Sequence, residues 1–195
     1  MVGSTTSAGA NDWGVAKFGF NGTAALAFGS GGTLTFDPSS MEGAGATTTD
    51  LAKAIKVDST GRLVMVGTTG DNFALARISN LGIFDTSFGG NGVVTNGLGG
   101  PNDVANALTF TSDGSIIAAG YGDEFGSQDY AARKFSAVNG TASTVYGETD
   151  FDKTNTLKDY ATGVVVLSTG KIVLTGNIKH VNAIPTEIGL AQYNP

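Results

Sequence analysis

The chain has no cysteine, so disulfides, thiolate metal sites and a cysteine nucleophile are excluded. It has a single histidine, His180, in the segment NIKHVNAIP. A zinc site needs more ligands of the His/Cys type, and a Ser-His-Asp triad needs a serine on an exposed elbow. No G-x-S-x-G segment is present, and His180 reads as a solvated loop histidine. Basic residues are scarce: 11 Lys+Arg against 17 Asp+Glu, a net charge of −6 and a pI near 4.5. That balance, with no basic cluster, excludes nucleic acid as a natural partner and disfavours anionic membrane surfaces. No apolar run approaches the roughly 18–20 residues of a transmembrane segment. The opening MVGSTTSAGA lacks the basic and apolar regions of a signal peptide. Four prolines argue against a Pro-rich linker.

What the chain does have is glycine, 30 in 195 residues, set among Thr, Asn and Ser. Hydrophobic residues make up 41% and the mean hydropathy is +0.07, enough to bury a core. Many short strands joined by tight turns fit this composition.

The glycines fall in a repeat. Three hairpins read AIKVDSTGRLVMVGT, ALTFTSDGSIIAAGY and GVVVLSTGKIVLTGN, with turn glycines Gly61, Gly114 and Gly170 at intervals of 53 and 56. A second segment recurs as DWGVAKF, NFALARI, DYAARKF and EIGLAQY, led by Trp13, Phe73, Tyr130 and Ile188 at intervals of 60, 57 and 58. Periods of this size mark an architecture of copied supersecondary units. One unit is predicted as strand a over 52–57, strand b over 62–67, strand c over 72–78 and strand d over 92–96. Strand b is apolar throughout (Leu63–Val66, Ile116–Ala119, Ile172–Leu174), the pattern of a strand buried on both faces. Strand c alternates small residues with large ones, which lets neighbouring sheets interdigitate.

These features predict one all-β domain over 1–195, a β-propeller-like repeat of four-stranded antiparallel blades. Its units are approximately 1–51, 52–104, 105–160 and 161–195, the outer two partial. The predicted order is b-c-d, a-b-c-d, a-b-c-d, a-b-c, or 14 strands, with 38–50 as a long loop between blades. The stretch DSTGRLVMVGTTGDNFALARISNLGIFDTSFGGNGVV resembles the delta-60 repeat family of secreted or surface-associated bacterial proteins. The resemblance rests on the turn and apolar strand, the FALARI segment and the element at 85–90. It is close over 52–104, looser over 105–157, where STVYGETD replaces DTSFGGNG, and partial at both ends. It implies a propeller-like fold, an extracellular or cell-surface location in bacteria, and no catalytic residues.

Site candidates follow from the repeat and its exceptions. Acidic groups such as Asp123/Glu124, Glu148/Asp150/Asp152 and Asp12/Asp71/Asp129 read as solvated or capping turns before they read as a glycosidase pair. No cofactor is expected; structural calcium would use the oxygen-rich loops at 11–12, 70–72 and 123–124. A cation recurs on strand c as Lys17, Arg77 and Lys134, with Gln192 in the fourth copy, and reads either as an anion-binding ring or as charge pairing. Repeat-equivalent aromatics, Phe18/Phe135/Tyr193 and Phe28/Phe88/Tyr146, are expected in the core. Rim aromatics outside the pattern, Tyr121, Phe125 and Tyr160, with His180, would serve a glycan or a cell-surface protein. The incomplete outer blades leave edges that can accept a strand from another chain. The expected function is therefore a non-enzymatic structural or adhesive module that self-assembles into a filament or ring. Its assembly edge is Met1, Val2, Gly3, Ser4 and Thr5 at one end, and Ile188, Leu190, Gln192 and Tyr193 at the other.

Overall fold

The computed structural model describes residues 1–7, 10–43, 50–123, 127–151, 157–179 and 187–194. Among these, the chain forms four antiparallel sheets. The first is β1 (Val2–Ser7), β2 (Ala10–Ala16) and β3 (Thr33–Phe36). The second is β4 (Leu51–Val57), β5 (Leu63–Thr69), β6 (Asn72–Ile78) and β7 (Val93–Asn96). The third is β8 (Val104–Phe110), β9 (Ile116–Gly122), β10 (Asp129–Phe135) and β11 (Ala142–Thr149). The fourth is β12 (Tyr160–Val166), β13 (Ile172–Ile178) and β14 (Glu187–Tyr193). Within each sheet every strand pairs with the next in the chain. The 14 strands follow the order predicted from the repeat.

The hairpin turns explain this regularity. In the second sheet Asp58 Oδ1 accepts from the backbone N–H of Thr60 (2.9 Å) and of Arg62 (3.0 Å). Gly61 takes the positive φ of 84° that closes the turn, as Gly114 and Gly170 do in their copies. Each complete hairpin also carries a bulge in its first strand, at Ala52/Ala54, Ala105/Ala107 and Ala161/Gly163. The bulge brings that strand's backbone against a glycine of the second. A Cβ on Gly67, Gly120 or Gly176 would overlap the carbonyl of Leu51, Val104 or Tyr160.

The sheets stack in a row, with β4, β8 and β12 side by side. Three apolar cores lie between consecutive sheets. Between the second and third, Val64, Val66, Phe73 and Leu75 meet Ala105, Ile116, Ala118 and Ala131. The described residues do not close into a ring.

Three expectations need correction. The stretch 38–50 is not wholly a loop, because α1 (Pro38–Met41) forms at its start. Asp37 caps it, accepting from Ser40 N–H at 3.0 Å, and Pro38 opens its first turn. Strand β13 is not buried on both faces: Ile172, Leu174 and Ile178 are buried, while Val173 and Thr175 between them are partly open. Phe18 is not core. It is 51% exposed, whereas its counterpart Phe135 is fully buried. All three aromatics of the other set, Phe28, Phe88 and Tyr146, are buried.

Candidate functional site: the faces and edges of the end sheets

Every sheet contact is built from the same parts. The lead residue of strand c (β2, β6 or β10) and the residue two further on project into the next sheet. Trp13 and Val15 meet Met65, Ala74 and Ala76; Tyr130 and Ala132 meet Leu174 and Ala191. Large side chains against small ones let the sheets approach closely, and this burial is the main stabilising term. Two of the lead residues also donate hydrogen bonds across the contact. Trp13 Nε1 donates to Thr68 O (3.3 Å) and Tyr130 Oη donates to Gly189 O (3.3 Å). Burial pushes the Tyr130 hydroxyl up to about 12.

Backbone links repeat on both sides of this core. Asp50 N–H donates to Asn11 O, Asp103 N–H to Asp71 O, and Asp159 N–H to Gln128 O. On the other side Gly29 N–H donates to Leu81 O and Gly89 N–H to Asn139 O. The recurring cation belongs to the same interface. Lys17 Nζ donates to Asn80 O at 2.7 Å, in the turn of the next sheet. Arg77 is buried and donates to Ala137 O and Val138 O of the sheet after. Its Nε pairs with Asp85 at 2.9 Å, which also holds Arg62 at 3.0 Å. Burial pulls the guanidinium below its ordinary value, and Asp85 opposes that shift. The charge-pairing reading holds for Arg77 with Asp85, but it did not include this clasp of a neighbouring turn's carbonyls. Lys134 instead faces Asp113 at 3.8 Å. Arg62 and Arg77 also line a cleft of about 600 Å³ between the second and third sheets.

Sequence reasoning missed three buried carboxylates. Asp50, Asp103 and Asp159 are almost fully enclosed. Asp159 accepts from the backbone N–H of Lys179 (2.8 Å) and Phe151 (3.2 Å); Asp103 accepts from Leu98 and Asp123; Asp50 accepts from Thr69 Oγ1. Burial raises the Asp103 and Asp50 carboxyls above the ordinary aspartate value, partly offset by these hydrogen bonds. A signal was present: each aspartate begins an Asp-x-Ala triplet and stands 11 residues before a turn glycine.

The proposed assembly residues divide by face. In the first sheet Val2 packs toward the second sheet, and Ser4 Oγ accepts from Ala52 N–H at 3.2 Å. Met1, Gly3 and Thr5 alternate with them. Gly3 matches Gly67 in the repeat, yet a Cβ there would meet nothing within 4 Å, because among the described residues no bulged strand lies beside β1. In the fourth sheet Ile188, Leu190 and Gln192 are exposed. Tyr193 faces inward and shares a 2.6 Å hydrogen bond with Thr149. Of the rim candidates, Tyr121 and Tyr160 pack edge to face at 4.7 Å, and Tyr160 Oη donates to Gln128 Oε1 at 2.9 Å. Phe125 and His180 lie outside the described residues, as do Glu124 and Asp152.

One acidic group gathers in space. A carboxylate oxygen from each of Asp129, Asp150 and Asp159 lies within 4.8 Å of the others. These are the residues that could hold a hard cation. Of the calcium loops predicted from sequence, none supplies this set, although Asp129 was grouped with Asp12 and Asp71 by repeat position. Among the described residues no helix is long and apolar enough to cross a membrane. No family model matches this chain, and no curated protein matches it.

Proposed function

We propose that this chain is a non-enzymatic structural module of a propeller-like array, which joins to copies of itself through its two incomplete end sheets. The carrying observation is the pairing of the outermost strands. In the complete sheets the third strand, β6 or β10, lies between two partners, whereas among the described residues β14 pairs only with β13. The second strand, β5 or β9, likewise has two partners, whereas among the described residues β1 has only β2. Each of these strands presents an edge that its counterparts use for pairing, and such an edge accepts a strand from another molecule. The contact is heterologous, one end meeting the other, so it propagates into a filament or closes into a ring. A strand of seven residues supplies several backbone hydrogen bonds at about 1 kcal/mol net each. The resemblance of 52–104 to a secreted bacterial repeat supports an extracellular or cell-surface location and an adhesive or scaffolding role.

Electron microscopy with light scattering at micromolar concentration tests this reading. Filaments or rings whose mass grows with concentration are expected. A uniform 19.7 kDa monomer at every concentration overturns it.

A further inference from the structure

The end sheets expose faces as well as edges, and the two faces match. On the fourth sheet Ile188 is 80% exposed, Leu190 69% and Val165 53%. These side chains share one face through the register Val165–Val173 and Thr175–Leu190, with Asn177 opposite Ile188. Ile188 and Leu190 stand at the repeat positions of Trp13 and Val15, of Phe73 and Leu75, and of Tyr130 and Ala132. All six of those residues are buried against the following sheet.

The first sheet shows the reciprocal surface. Its outer face carries Met1, Gly3, Gly14 and Ala16 around a hollow of about 220 Å³. These match Met65, Gly67, Ala74 and Ala76 in the repeat, and the pairing is the same: Gly3 lies opposite Gly14 as Gly67 lies opposite Ala74. In the second sheet that surface receives Trp13 and Val15. Phe18 borders the same face and is 51% exposed, whereas its counterpart Ile78 is fully buried at the sheet contact.

We infer that the fourth sheet of one molecule stacks face to face on the first sheet of a second copy. Ile188 and Leu190 enter the hollow over Gly14 and Ala16. The contact reuses, between molecules, the large-on-small packing that three interfaces make within one. It rests on the assembly reading and moves the joint from the open edges to the faces, because two sheets that stack cannot also pair edge to edge. Ile188 and Leu190 are large enough to fill a hollow floored by glycine and alanine, and burying them removes exposed apolar surface.

The test uses two single variants, Leu190→Arg and Ala16→Arg, with sedimentation velocity at 1–200 μM as about the useful range. Both positions face away from their own molecule's sheet contacts, and circular dichroism checks that each variant folds. Each alone is expected to remain monomeric. Mixed in equal amounts they should form a heterodimer and nothing larger, because each keeps one intact face. As a second measurement, Leu190→Cys combined with Ala16→Cys should give a disulfide-linked ladder in a chain that has no other cysteine. Assemblies that persist unchanged in both arginine variants, with no ladder, overturn the face contact and leave edge pairing standing. Monomers in the unmodified chain at every concentration overturn both.

Discussion

Phe73 and Ile188 hold the same place in two copies of one repeat. Phe73 has no exposed surface; Ile188 keeps 80% of its own. The strands are of equal length, seven residues, and pair with their second strands in the same register, Phe73 opposite Thr68 and Ile188 opposite Asn177. Among the described residues β6 also has β7 beside it and a following sheet against it, whereas β14 has neither. The residue at this position is therefore an interface residue, and it becomes core when a neighbour arrives. The same holds in reverse for Gly3 and Gly67, where one glycine is crowded by an adjoining strand and the other faces open space.

That comparison can be broken most strongly in the interior. Phe73→Ala is expected to cost about 3–5 kcal/mol, because it removes a large buried side chain and leaves a cavity against the third sheet. Trp13→Ala should cost the same order and also lose the bond to Thr68. Urea denaturation of each variant measures this. A cost under about 1 kcal/mol would mean that the sheets are not held by these contacts.

The cation clasp comes next. Arg77→Met keeps the apolar stem but strips the carbonyls of Ala137 and Val138 of their partner. A loss of about 2–4 kcal/mol is expected, with earlier proteolysis at the 136–140 turn. Lys17→Met, at the exposed end of the array, should cost less than about 1 kcal/mol.

Asp103 gives a pH-dependent comparison. Burial raises its carboxyl above the ordinary 3.8. A raised folded-state value means that the group's contribution is full below the unfolded value and is lost as pH rises through the folded one. Asp103→Asn stays neutral throughout. The margin of the native chain over this variant should thus be widest in acid and narrow as pH climbs above about 4. Denaturation midpoints at stepped pH values check the sign, and a margin that widens with pH contradicts it. Asp58 and Asp85 act oppositely. Burial raises each, but hydrogen bonds from Thr60 and Arg62, and from Ser87, outweigh it and hold both below the ordinary value. Their contribution is present above the unfolded value and falls away as pH drops through the folded one.

Much of the strand order was legible before any coordinates, for identifiable reasons. Strand b reads as continuous apolar sequence because Val64 and Val66 face one neighbour while Met65 faces the other. Strand c alternates because its two faces meet unlike partners. The buried aspartates were not read, although the Asp-x-Ala triplet recurs, because Asp103 and Asp159 are held by backbone N–H groups, Asp50 by a threonine hydroxyl, and an aspartate before a strand reads as a turn residue. Arg77 was read only in part for a similar reason: its pairing with Asp85 fits the charge reading, but its other partners are carbonyls 60 and 61 residues away, which carry no side-chain signature. The helix at Pro38–Met41 was missed although Asp37-Pro38 is a cap signal, because the low-complexity stretch after it dominated the reading. The repeat position of Ile188, identical to that of Phe73, points to burial, and only its place in an incomplete outer blade marked it as an assembly residue.

The most direct test is the cost of Ile188→Ala measured as a function of protein concentration. In dilute solution the substitution should change stability by no more than about 0.5 kcal/mol, as for an exposed site. As copies associate, the side chain gains a partner sheet and its removal should cost progressively more, approaching the interior value set by Phe73→Ala. A cost that stays small at every concentration would contradict the account and leave the exposed face of the fourth sheet without a partner of its own kind.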